Sequence, residues 1–226
     1  MNLKPVLIEA RDLPDAWFQC IARILEVGNN YKITKGSYEG AVRREFDYIT
    51  VHIKHPGARP LIPDIPPGLG IPPPTTMEYV EQYLPYLMTD KVEPNETYTY
   101  GQRLFGFKQV EKVIEMYKKG HGTNQAAMEI GRPEDCGTED PPCLRLIDTK
   151  VKDGKLHFAL YFRSWDLWAG FPSNLAAIQI LKEYMASEIG VEDGEIIASS
   201  KGLHLYDYSF DLAKIRTYRM EGTIRG

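Results

Sequence analysis

The stretch CLRLIDTKVKDGKLHFALYFRS, residues 143–164, decides how this chain is read. Two runs rich in β-branched, aromatic and other apolar residues flank Asp153-Gly154. An Asp-Gly pair between such runs signals a two-residue hairpin turn, because both positions must accept positive φ. The ends of a hairpin away from its turn lie side by side. Cys143, at the start of the first strand, therefore shares one end of a sheet with Arg163 and Ser164, at the end of the second. Pro141 and Pro142 sit directly before the cysteine and hold it at the strand's entrance, since each proline fixes its own φ.

Downstream, WDLWAGFPSN is turn-rich and leads into LAAIQILKEYMASEIG, with apolar residues at Leu175, Ile178, Leu181, Tyr184 and Met185. That spacing predicts a buried helix, capped by Ser173 or Asn174. Asn174 would then lie near the same sheet edge. GEIIASSKGLHLYDYSF predicts one or two further strands. His204 and Tyr206 are two apart on one of them and point to the same face.

Upstream, Pro14 and the apolar residues Trp17, Phe18, Ile21, Ala22 and Leu25 predict a helix with proline in its first turn. FDYITVHIK, residues 46–54, reads as a strand. Residues 56–74 hold eight of the chain's 16 prolines and exclude both helix and central strand. They are expected to form a semi-stiff surface connector. TTMEYVEQYLPYL predicts a helix ending at Pro85, FKQVEKVIEMYKKG an amphipathic helix closed by Gly120, and QAAMEIG a short strand.

The bulk composition suits a soluble globular protein. Of the 226 residues, 43% are hydrophobic and 26% charged, with a net charge of −4. That charge does not favour broad nucleic-acid binding, so RNA binding is open but not expected. No segment approaches the roughly 20 apolar residues of a membrane span. The start lacks the order of a signal peptide, so a cytoplasmic location is expected. Three cysteines cannot all pair, and neither a CxxC nor a His pair marks a metal site, so no metal is expected.

Chemically, a guanidinium beside a thiol favours the thiolate, the nucleophilic form. Arg163 with Ser164 suits an anion such as phosphate. The Asn174 amide offers a donor and an acceptor to the edge of a nucleobase. His204 and Tyr206 could hold sugar hydroxyls. Each also has an ordinary reading: salt bridge, helix cap, half-buried sheet face. Together they describe a nucleotide with its base beside a thiolate. A cysteine hydrolase lacks a credible base among the histidines.

In this order and spacing, PPC, the hairpin, RSWDLWAGFPSN and HLYDY resemble the thymidylate synthase family, and YTYGQRL resembles its Tyr-Gly segment. The match covers roughly residues 98–210. The N-terminal half looks like a short, archaeal-type branch. The resemblance implies an α+β fold, with a large mixed or antiparallel sheet and helices packed on one face. It implies one domain over residues 1–226 and a homodimer packed sheet on sheet. It implies reductive methylation of dUMP to dTMP, with Cys143 adding to C6. Arg163 and Ser164 would bind the phosphate, Asn174 the base, and His204 and Tyr206 the 3′ hydroxyl. Asp166 would meet base and pterin, and Tyr100 would organise proton transfer near C5. The cosubstrate would be methylene-tetrahydrofolate or a modified methylene-tetrahydropterin.

Three positions depart from the family pattern. Leu144 stands where His is usual, Phe162 where Gln is usual, and Asn124-Gln125 where an arginine pair serves the partner subunit's phosphate site. Arg43, Arg44, Arg103 and Arg132 are candidate replacements, and Glu78 and Glu81 candidates for the family's active-site glutamate. Two other readings remain at this stage: a dCMP hydroxymethylase using the same addition, and a non-catalytic nucleotide- or RNA-binding homologue.

Overall fold

The computed structural model describes residues 2–34, 38–65, 70–120 and 122–217. The hairpin forms as the Asp-Gly signal requires. Its strands are β6 (Leu144–Lys152) and β7 (Lys155–Phe162), antiparallel, and Asp153 and Gly154 have φ of 52° and 72°. Around it runs a six-stranded mixed sheet. β5 (Ala127–Glu129) pairs with β6 at one edge. Beyond β7 follow β9 (Glu192–Ser200), β4 (Tyr48–Ile53) and β1 (Pro5–Ala10). β7 with β9 and β1 with β4 are parallel pairs; the other pairs are antiparallel.

The sheet is covered on one face. Alternation along β9 buries Ile196 and Ala198, whereas Ile197, pointing the other way, is 43% exposed. On the covered side lie α1 (Leu13–Val27) and α5 (Gly170–Ile189), the latter through Leu175, Ile178, Leu181 and Met185. Each fully buried Leu or Ile side chain contributes about 1.5–3 kcal/mol. Among the described residues four further helices complete the fold: α2 (Met77–Met88), α3 (Tyr100–Leu104), α4 (Gln109–Lys119) and α6 (Phe210–Arg216). No helix among them is long and apolar enough to cross a membrane. The architecture is α+β, as expected.

Four details differ from the sequence reading. First, a second, four-stranded sheet is present, in the order β2 (Asn29–Lys32), β3 (Val42–Glu45), β10 (Leu203–Tyr206), β8 (Trp165–Asp166). His204 and Tyr206 sit on it, not on the large sheet. Second, α5 begins at Gly170, so neither Ser173 nor Asn174 caps it. Asp166 instead accepts from the backbone N–H groups of Trp168, Ala169 and Gly170 at 3.1, 3.0 and 2.9 Å.

Third, α2 continues three residues past Pro85. The proline frees only the carbonyl of Glu81, which lies on the exposed face, where solvent can satisfy it. Fourth, the described part of the proline-rich segment is more than a surface connector. Leu61 and Ile71 enter the core, and Pro74 and Thr75 are buried.

Candidate active site

Cys143 stands half-buried just before β6. Its carbonyl accepts from the Arg163 N–H at 2.8 Å, which ties the two hairpin ends together. The Arg163 guanidinium lies back over the loop before the cysteine. Nε donates to the Pro141 and Pro142 carbonyls at 3.1 and 3.2 Å, and Nη2 donates to the Pro141 carbonyl. Nη2 also meets the exposed Asp140 carboxylate at 3.4 Å.

The charge balance at the sulfur differs from the simple expectation. Burial pushes the Cys143 thiol up, more strongly than the Arg163 guanidinium pulls it down; Asp140 adds to the rise and Arg145 opposes it. Proximity to Arg163 therefore limits the upward shift and does not reverse it.

Tyr100, the first residue of α3, is buried, and its hydroxyl accepts from the Leu144 N–H at 3.1 Å. α3 starts there because the Thr99 hydroxyl accepts from the Gln102 N–H. Burial pushes the Tyr100 phenol well up, and the neighbouring Cys143 would push it further if ionised. Tyr98, hydrogen-bonded to Tyr86, is raised to about 12 by burial and by Asp140 and Cys143.

The second sheet brings in the remaining candidates. β8 and β10 run parallel, with Asp166 opposite His204. The Trp165 N–H donates to the Gly202 carbonyl at 3.0 Å, and the Leu167 N–H to the His204 carbonyl at 2.7 Å. His204 is buried, and Nδ1 lies 2.8 Å from the Gly202 carbonyl, so Nδ1 donates and Nε2 is the free acceptor when the ring is neutral. Nε2 is buried without a hydrogen-bond partner. Burial lowers the His204 pKa and favours that neutral ring. Tyr206 packs edge-on against His204 at 4.7 Å and stacks on Tyr38 at 4.3 Å. Ser164 is half-buried beside Arg163, where a Cβ on Gly202 would come within 3.1 Å of the Arg163 carbonyl oxygen.

Asn174, in the second turn of α5, accepts from the Trp165 indole N–H through Oδ1 at 2.9 Å. It lines a cavity of about 480 Å³ with Asp166, Gly170, Ser173, Thr75 and Tyr79. The Ser173 and Thr75 hydroxyls are 2.8 Å apart, so the end of the proline-rich segment forms one wall. A tyrosine, a proline and the small residues of α5 give this cavity flat apolar sides, and Asp166 and Asn174 give it polar points. Such a wall suits the edge of a flat, hydrogen-bonding heterocycle. Cys143, Arg163, His204 and Tyr206 do not line it; His204 and Tyr206 lie on β10, paired with the β8 strand that carries Asp166, and Cys143 and Arg163 stand at the end of the hairpin that leads into β8.

A larger cavity, about 650 Å³, lies at the turn end of the hairpin, far from Cys143, with Thr123, Asn124, Lys150, Lys155 and His157 in its walls. Asn124 thus points away from this chain's own thiol. Of the arginine candidates, Arg103 is committed to a buried bidentate pair with Asp135 at 2.9 and 3.0 Å and to the Ile130 carbonyl. Arg43 pairs with Glu45 at 2.7 Å, Arg44 bonds Asn30, and Arg132 lies over the Phe107 ring. Glu78 and Glu81 are on the exposed side of α2. Among the described residues no cluster of three His, Cys, Asp or Glu groups is placed to hold a metal ion.

Sequence reasoning did not single out Trp165, Thr75, Tyr79, Tyr98 or Asp140. Only Asp140, three residues before the cysteine, carried a usable signal. The others reach the site through contacts between distant segments.

Residues 88–223 match the thymidylate synthase family. The chain is 32% identical to a "Putative thymidylate synthase" of Methanosarcina acetivorans, over 92% of this chain and 93% of that protein. It is 30% identical to the protein of the same description in Methanothermobacter marburgensis, over 92% and 96% of the two chains. With one in Methanopyrus kandleri it shares 25% identity, over 90% and 94%. On this family match over residues 88–223 and these relatives, the chain belongs to the thymidylate synthase family.

Proposed function

We propose that this protein is a thymidylate synthase that converts dUMP to dTMP, in the cytoplasm and as a homodimer. The observation that carries the reading is the half-buried Cys143 at a strand end that also holds the Arg163 guanidinium and the Tyr100 hydroxyl. The Cys143 sulfur adds to C6 of the uracil ring as thiolate. The ring's electron pair moves toward O4, and C5 becomes nucleophilic. When bound, a methylene-carrying reduced pterin supplies the one-carbon unit and the hydride. Release of the sulfur from C6 restores the enzyme.

Arg163 and Ser164 take the phosphate, for which Arg163 exchanges its weak pair with the exposed Asp140. His204 Nε2 accepts from the 3′ hydroxyl, which satisfies an otherwise orphaned buried atom, and Tyr206 shares that hydroxyl. Asn174 reads the base edge. Asp166, fixed by three backbone donors, faces base and pterin. Tyr100 moves the C5 proton through its hydroxyl. The open face of the large sheet, with Leu7 65% and Ile197 43% exposed, supports a second copy packing there.

The test is dTMP formation from dUMP with either methylene-tetrahydrofolate or a modified methylene-tetrahydropterin. Turnover with one of them, abolished in Cys143→Ala with the fold intact by circular dichroism, is expected. Turnover that survives the substitution would remove Cys143 from the reaction.

A further inference from the structure

We propose that Trp165 is a specificity-determining positioning residue: its indole locks the Asn174 amide in the orientation that accepts uracil and rejects cytosine. This rests on the reading of the site as a pyrimidine nucleotide pocket. An isolated asparagine cannot make this choice, because its amide can rotate and exchange donor for acceptor.

The structure removes that freedom. Trp165 Nε1–H lies 2.9 Å from Asn174 Oδ1. An indole nitrogen only donates, so the amide atom facing it must be the oxygen. The indole cannot turn away. It stacks on Phe162 at 3.9 Å with an interplanar angle of 4°, packs on Phe171 at 4.6 Å, and is 3% exposed. Its own backbone N–H is bonded to Gly202.

With Oδ1 fixed in place, Nδ2 makes no hydrogen bond among the described residues, and the amide lines the cavity. Oδ1 keeps its second lone pair for an incoming donor, and Nδ2 offers a donor. Uracil presents N3–H and O4, a donor and an acceptor, and matches both. Cytosine presents N3 as acceptor and an amino group as donor, and so requires the reversed amide. Reversal would set the Nδ2 hydrogens against the indole N–H and cost a buried hydrogen bond at both groups.

The test compares dUMP and dCMP binding by calorimetry in the unaltered protein, in Trp165→Phe and in Phe162→Leu. Trp165→Phe keeps an aromatic ring in the stack and removes only the indole donor. Phe162→Leu loosens the same stack and leaves the donor in place. The expected result is a clear preference for dUMP in the unaltered protein, a dUMP-to-dCMP ratio lower by roughly tenfold in Trp165→Phe, and a smaller fall in Phe162→Leu, where the indole donor and its packing on Phe171 remain. An unchanged ratio in Trp165→Phe, or an equal fall in both variants, overturns the proposal and leaves the dUMP reading standing. No binding of either nucleotide by the unaltered protein overturns the dUMP reading, and this inference with it.

Should Trp165→Phe not fold, nitrogen-15 NMR of the indoles in the unaltered protein decides. A Trp165 Nε1–H that stays protected from exchange with dUMP bound supports the lock. One that loses protection on binding overturns it.

Discussion

At Cys143, solvent exclusion and three charges compete. Burial and Asp140 favour the thiol, and Arg163 and Arg145 favour the thiolate. The sign of each change follows. Asp140→Asn removes an anion, lowers the thiol pKa, and should speed iodoacetamide modification of Cys143 near neutral pH by about two- to threefold, a modest effect because Asp140 is exposed. Arg163→Gln should raise the pKa and slow the reaction by more. Peptide mass spectrometry separates Cys143 from the exposed Cys136. No acceleration in Asp140→Asn would mean that the ion pair does not reach the sulfur. This balance was only half legible in the sequence. The Asp-Gly turn placed Arg163 beside Cys143, but burial of the sulfur depends on the packing of Tyr98 and Tyr100, which no local pattern reveals.

At the scale of elements, signals confined to a few adjacent residues were read well. The hairpin, the proline in the first turn of α1 and the Gly120 helix end all appear as expected. The second sheet was not legible, because its strands are two to four residues long and β2, NNYK, is exposed throughout. The start of α5 was misplaced because its N-terminal donors are satisfied from Asp166, four residues ahead of Gly170. The proline-rich segment reads as linker by composition, yet Leu61 is 3% exposed. Leu61→Ala should therefore cost about 3 kcal/mol, where a change on a surface connector costs less than about 0.5 kcal/mol. Urea unfolding measures the difference, and a small value would return the segment to the role of connector.

At the scale of the whole molecule, one face of the six-stranded sheet carries helices and the other carries exposed Leu7, Tyr48 and Ile197 beside polar residues such as Glu195 and His157. A second copy on that face gives a mass twice the 25.8 kDa of the chain in sedimentation velocity. Ile197→Lys should shift the distribution toward single chains, since it places a charge in the middle of the proposed contact. A single-chain mass for the unaltered protein at micromolar concentration would contradict the homodimer.

The whole account turns on a sulfur that adds to a uracil ring and loosens the hydrogen at C5. The most direct measurement is release of tritium from dUMP labelled at C5, with purified protein and a methylene-carrying reduced pterin. Release that requires both protein and pterin, and is lost in Cys143→Ala, is the expected result. No release with either methylene-tetrahydrofolate or a modified methylene-tetrahydropterin, from protein that binds dUMP, would contradict it.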